Sequence, residues 1–526
     1  LKQLIIIAFK LPQYLGGRKL LKLIGLVASG ASSFQAPIII YDQNEMDAKE
    51  EQFVVISDDR RGINYLGILR NVRRYEPFLQ PYKRTSYVDN PSLADSGTLP
   101  HSTGYVSIVG AVSNGALLES TLPPNPGSKA YVVEDPGELK ISFENGLTIG
   151  SHKYSGLEIP LNPVWLPYHV AVVGATGTGK SRLVKAFIDE VLSKTNYTVI
   201  VFDHTGMDYV KYYPDRVIEA SRIVMDPDLI TNIILSKTGL NPQHYESYVL
   251  IAVLYCILDY YNRIGVLQSL IPRLIKDQHV KAPGKAAASV TRELIGSMDY
   301  GELLKIMAEH PIEWSRHLFK QQLDKAVEFL GGREGTAMRA KILTDVRLGD
   351  SFFNSLSKRD LHPADVVAKA RRSRLAVVDL STEAMESRRY VLASVVNELW
   401  RAIEEERASI NTVLVIDEAH NYACRYCGEA GEAVSRVSRE GRKWGLGVIL
   451  ATQRIIDVDT DVRSNLNTWF FSKLQTPSDY KELSGYMDLA GVSESSLSAL
   501  GKREFYVAGL MNPLRVPILI KVREVA

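Results

Sequence analysis

Cysteine is scarce: Cys256, Cys424 and Cys427 are the three in 526 residues. So few exclude a disulfide framework of the secreted kind and suit a reducing, cytoplasmic compartment. Long hydrophobic runs are missing too. The longest uninterrupted apolar stretch, Tyr248 to Leu258, is shorter than a bilayer span, so no membrane segment is expected. Nor is there an excess of one charge, because 62 Lys and Arg face 60 Asp and Glu. Any grip on nucleic acid must then come from local charge rather than from a basic whole. A disorder-type composition is also absent: 45 % of residues are apolar and 23 % charged, as in globular chains. A chain this long outgrows one core, and two or three domains are expected. Residues 1–22 read as an N-terminal leader, helix or strand. Its apolar run Leu4 to Phe9 precedes Arg18, Lys19 and Lys22, the reverse of a signal peptide, and no small-residue cleavage site closes it.

What is present is organised around Gly174-Ala175-Thr176-Gly177-Thr178-Gly179-Lys180-Ser181, which fits G-x-x-x-x-G-K-[ST]. The apolar run Val170 to Val173 precedes it and an amphipathic stretch, Leu183 to Ile188, follows, the strand and helix that the motif requires. Glycines let the backbone wrap a polyphosphate, the amide N–H groups and the helix N-terminus face the anion, Lys180 reaches the terminal phosphates, and Ser181 is a Mg2+ ligand. The nucleotide-binding set is Gly174, Ala175, Thr176, Gly177, Thr178, Gly179, Lys180, Ser181 and Arg182, with ATP and Mg2+ as cofactors. A chance Gly/Thr-rich turn would not come with both flanking elements.

Val413-Leu414-Val415-Ile416 runs into Asp417-Glu418-Ala419-His420. A buried strand ending in two carboxylates delivers Asp417 to the magnesium shell and Glu418 to the water that attacks the γ-phosphate. An acidic pair at a strand end is weak evidence alone and strong beside a phosphate-binding loop. Downstream, Val448 to Arg454 is a further buried strand whose Gln453 would sense the γ-phosphate and orient the water. Between the two strands a helix is expected to carry Arg436, Arg439, Arg442 and Lys443. On a monomer that stripe is ordinary solvation; in an oligomer, Arg442 or Arg439 would be an arginine finger completing a neighbour's site.

The remaining text sets the domains. Residues 23–162 hold short β-branched runs between turn clusters, which predicts a small all-β barrel. There Arg70, Arg73 and Arg74 read as a solvated strand edge in preference to phosphate contacts. Residues 163–526 read as a RecA-like P-loop domain with a helical insertion at about 241–369. The fold class expected is an α/β P-loop NTPase with a mostly parallel sheet and helical insertion, preceded by the barrel. Asp203, at the end of strand Thr198 to Asp203, is either a site carboxylate or a turn cap. Cys424-x-x-Cys427, after His420, is open to three readings: zinc ligands without a visible fourth, a disulfide or redox pair, or, preferred, two plain thiols.

These motifs, in this order and with a helical insert, resemble the HerA branch of the HerA/FtsK ATPases. The most specific match is Ser435-Arg436-Val437-Ser438-Arg439-Glu440-Gly441-Arg442-Lys443-Trp444-Gly445. Two departures stand out: the Arg-His that archaeal members commonly carry before the P-loop strand is Tyr168-His169, and their His-Gly-Glu is Thr205-Gly206-Met207, with Asp208 one place late. The resemblance covers about residues 23 to 520. It implies a hexameric ring that moves double-stranded DNA through its channel, working with a NurA-like nuclease in DNA-end resection. The alternatives are a nucleotide-switched scaffold ATPase and a plasmid- or virus-borne DNA pump.

Overall fold

The computed structural model describes residues 7–8, 21–76, 79, 82, 84–93, 99–113, 116–134, 140–141, 145–274 and 296–525. Most of the expected leader, residues 1–6 and 9–20, lies outside that set. The described residues form two compact units. One combines those up to Tyr197 with Asn411–Arg425 and the chain from Ser435 onward; the other is Thr198–Ile410 with Tyr426–Val434.

The first unit holds a sheet of seven strands, β1 (Leu21–Val27), β2 (Gln35–Ile40), β3 (Phe53–Asp58), β4 (Ile63–Tyr75), β5 (His101–Ser113), β6 (Ala116–Leu118) and β7 (Lys129–Val133). Alternation drives them: in β2, Ala36, Ile38 and Ile40 are buried while Ile39 points out. The order β2-β1-β7-β3-β4-β5 closes on itself through antiparallel β2–β5 pairing, and β6 hangs on β5. Closure removes the free edges that such apolar strands would otherwise expose. Ile24, Val54, Ile56, Leu69, Val106 and Val132 are among the side chains filling the interior.

The same unit continues into seven neighbouring strands of a larger sheet, β8 (Gly150–His152), β9 (Val170–Val173), β10 (Thr412–Ile416), β11 (Leu446–Thr452), β12 (Thr468–Phe471), β13 (Glu504–Gly509) and β14 (Ile518–Val522). Their order is β8-β14-β13-β12-β9-β11-β10. From β12 to β10 the pairing is parallel; from β12 to β8 it is antiparallel. Strands β9, β10, β11 and β12 are buried at every residue, which explains their unbroken apolar text. Helix α1 (Lys180–Lys194) follows β9 and buries Leu183, Val184, Phe187 and Ile188, with Phe187 edge-on to Phe470 of β12.

Barrel and sheet are joined by a buried ion pair, and here the edge reading of Arg70 is corrected. Arg70 is 2 % exposed; its Nη1 donates to Glu51 Oε1 at 2.7 Å and its Nη2 to the carbonyl of Pro517. Tyr506 of β13 donates its hydroxyl to the same Glu51 oxygen at 2.9 Å. Arg73 and Arg74 remain at the surface, Arg74 paired with Glu45.

In the other unit, the strands Thr198–Asp203, Leu375–Asp379 and Val217–Glu219 pair in parallel in that order. Helices accompany them. Asn241 caps the helix Pro242–Arg263, whose buried run Val249 to Leu254 matches its apolar text. Ser315 caps the helix Arg316–Phe329, its side chain accepting the N–H of Leu318.

Removing one partner of a buried pair strands the other without water, a loss of about 3–5 kcal/mol. Arg70→Met is therefore expected to lower the urea midpoint strongly, and Arg70→Met with Glu51→Leu to recover most of the loss. A double variant no more stable than the single would show that the loss does not come from a stranded Glu51.

Candidate nucleotide site

Strand β9 is flanked in register by β11 and β12, with Val173 opposite Thr452 on one side and Phe471 on the other. Its chain leaves the sheet at Gly174, whose N–H donates to the Thr452 carbonyl at 3.3 Å, and Ala175 N–H reaches the Lys473 carbonyl at 2.7 Å. The loop is thereby pinned to strand ends on both sides. Gly177 (φ 82°) and Gly179 (φ 102°) hold left-handed backbone that other residues rarely adopt, and a Cβ on Gly174 would lie 2.8 Å from Thr178 Oγ1. Among the described residues, the N–H groups of Gly177, Gly179 and Ser181 find no acceptor. Unsatisfied amides around the start of a 15-residue helix form an anion cradle, so the loop fits a polyphosphate. Lys180 Nζ lies over the loop, donating to the carbonyls of Gly174 (2.9 Å) and Ala175 (3.3 Å).

The carboxylates come from β10, where Ile416 pairs with Leu450 of β11. That register carries the next residues, Asp417 and Glu418, to the same sheet end as Thr452 and Gln453. Asp417 is buried, and its carboxylate, like the Ser181 hydroxyl, is a hard oxygen donor of the kind Mg2+ takes. Glu418 sits at φ 45°, ψ 51°, a left-handed conformation that costs a non-glycine residue about 1–3 kcal/mol and clusters at functional sites. Gln453 Nε2 donates to Glu418 Oε1 at 2.7 Å, and Thr176 Oγ1 donates to Gln453 Oε1 at 2.7 Å. The loop, the glutamine and the carboxylate thus form one hydrogen-bonded chain. His420 closes its far end: Nδ1 lies 3.5 Å from Glu418 Oε2 and 3.3 Å from Thr452 Oγ1.

The arginines divide. The helix that carries Arg436 and Arg439 ends at Glu440, and Arg442 belongs to a separate short turn, Gly441–Trp444, so the single three-arginine helical stripe is corrected. Arg442 is exposed and stacks its guanidinium 5.7 Å from the Tyr168 ring centroid. Arg439 is exposed as well, and Arg436 lies 3.9 Å from Glu440. Next to Tyr168, His169 is buried with φ 66°, and its Nδ1 accepts the N–H of Val448 at 3.3 Å. Burial pushes its pKa down to about 4, which keeps the ring neutral.

Asp203, in the other unit, is a turn organiser: its carboxylate accepts the N–H groups of Thr205, Gly206, Tyr209 and Val210 at 2.7–3.2 Å. Gly206 (φ 69°) is required there, since a Cβ would lie 2.7 Å from Asp379 Oδ1. Cys424 and Cys427 are disulfide-bonded, so the reading as plain thiols is corrected. Sequence reasoning missed Arg503, whose N–H donates to the Thr178 carbonyl at 2.7 Å. No motif marks it, because the contact depends on where β13 enters the sheet.

Residues 147–417 match the family described as "Helicase HerA, central domain". The "DNA double-strand break repair helicase HerA" of Saccharolobus solfataricus is 22 % identical over 95 % of this chain and 92 % of its own length. The protein of that name from Sulfolobus acidocaldarius is 23 % identical, with the same coverage. Among solved structures, VirB4 of Thermoanaerobacter pseudethanolicus superposes with a TM-score of 0.46 at 14 % identity, over 73 % of this chain and 98 % of that one.

Glu418→Gln keeps the shape that Gln453 holds but cannot accept a proton. Nucleotide binding, followed by equilibrium titration, should be retained, while steady-state hydrolysis falls by about 10²–10⁴-fold. Retained turnover would assign the proton acceptor elsewhere.

Proposed function

The chain belongs to the HerA helicase family, and from that premise we propose that it is an ATP-driven motor that moves double-stranded DNA. The observation carrying this reading is the hydrogen-bonded chain from Thr176 through Gln453 to Glu418, which ties a phosphate-binding loop to a carboxylate able to activate water. The loop amides and Lys180 take the polyphosphate. Ser181 and Asp417 would hold Mg2+, which when bound offsets charge on the phosphate oxygens. Glu418 takes a proton from the attacking water, and Gln453, held between Thr176 and Glu418, orients that water.

A ring follows from the same chemistry. Charge developing on the transferred phosphoryl group needs a further cation, and fingers of this kind contribute about 10³–10⁵ in rate. Exposed Arg442, with Arg439 in reserve, fits that role across a subunit boundary in a homo-oligomer, a hexamer by family likeness. Relatives named as DNA double-strand break repair helicases support DNA repair as the setting, and the family resemblance adds end processing with a NurA-like nuclease. No helix among the described residues is long and apolar enough to cross a membrane.

ATP hydrolysis is expected to rise when linear duplex DNA is added, and Lys180→Ala should abolish it with an unchanged circular dichroism spectrum. DNA-independent hydrolysis without duplex movement would favour a nucleotide-switched scaffold. For the finger, the inactive variants Lys180→Ala and Arg442→Ala are mixed under subunit exchange. A Lys180→Ala subunit still offers Arg442 to an intact loop, so activity should partly return. Mixed rings without regained activity would remove Arg442 from the role.

A further inference from the structure

Arg503 stands against the phosphate-binding loop from the opposite side to Gln453's strand. Its N–H donates to the Thr178 carbonyl, and its Cα and Cγ lie 3.4 and 3.2 Å from where a Cβ on Gly179 would stand. The backbone there is left-handed, φ 67°, at a residue that is not glycine. A glycine would relieve that strain, so the side chain is kept at a cost. Its guanidinium ends on Glu524: Nη2 to Oε1 is 2.9 Å, with the Glu524 side chain 87 % exposed. Beyond the loop, on the first turn of α1, Arg182 Nη1 donates to the carbonyl of Val525 at 2.8 Å. Residues 524–525 are therefore shared by two arginines that flank the loop and the start of α1. Arg523 anchors the same segment to α1, 2.9 Å from Glu190.

An exposed carboxylate is a weak partner for an arginine, whereas a phosphate offers more charge and a matching pair of oxygens. We propose that Arg503 is a nucleotide-binding residue of its own subunit: its guanidinium passes from Glu524 to the non-transferred phosphates of a bound nucleotide, and Glu524 competes with that nucleotide. This rests on the reading of the loop as a nucleotide site. It differs from the role of Arg442, which acts on the transferred group and in trans. Arg503 serves ATP and ADP alike and acts on affinity rather than on turnover.

The test is titration of the full-length protein with ADP and with ATP, alongside steady-state hydrolysis. Arg503→Gly relieves the backbone and removes the guanidinium. It should melt no lower than wild type yet bind both nucleotides about ten-fold more weakly, the factor of one charge-assisted hydrogen bond, with kcat nearly unchanged. Glu524→Gln removes the competitor and should tighten binding of both. Arg503→Gly combined with Glu524→Gln should bind like Arg503→Gly alone. Wild-type affinity in Arg503→Gly, or no tightening in Glu524→Gln, overturns the proposal. Failure of the wild type itself to bind ADP would instead overturn the nucleotide site, with Lys180→Ala as the reference for lost binding.

Discussion

The register of β9 between β11 and β12 is the constraint on which the site depends. Val173 faces Thr452 and Phe471, so the chain can leave the sheet only at Gly174, level with the ends of both neighbours. From that point the loop hangs on two carbonyls, those of Thr452 and Lys473. Shifting β9 by one residue would turn every buried side chain over and move the loop away from Gln453. The apolar text of β9, β11 and β12 is thus a positioning device as much as a core.

Strain and hydrogen bonding oppose each other around Glu418. A left-handed glutamate persists only when its surroundings hold it, and here the donor from Gln453 and the proximity of His420 do so. Lys180, meanwhile, spends hydrogen bonds on loop carbonyls that a phosphate would take over. Both groups are held near the positions from which they would act, so little reorganisation separates them from a loaded state.

Much of this was legible in the residues. The loop, the Asp417-Glu418 strand end and Gln453 are local motifs whose chemistry requires fixed spacing, and buried parallel strands announce themselves as unbroken apolar runs. The barrel was legible because alternating short strands have few other ways to bury one face. What escaped depends on distant contacts. Arg70 lies in a basic run that reads as surface, and its bonds to Glu51 and to the Pro517 carbonyl are what make burial tolerable. Arg442 falls beyond the helix end because the chain turns at Gly441, where a Cβ would lie 2.4 Å from the Leu446 carbonyl. Arg503 carries no motif at all, and its place beside Gly179 comes from the antiparallel half of the sheet.

The central claim is that Thr176, Gln453 and Glu418 act as one unit linking phosphate binding to water activation. A double-variant cycle on kcat, with Thr176→Val and Gln453→Ala, tests it most directly. The account predicts that once Gln453 is gone, Thr176→Val adds almost no further loss. Two losses that multiply in the double variant would show that the residues act independently and would contradict it.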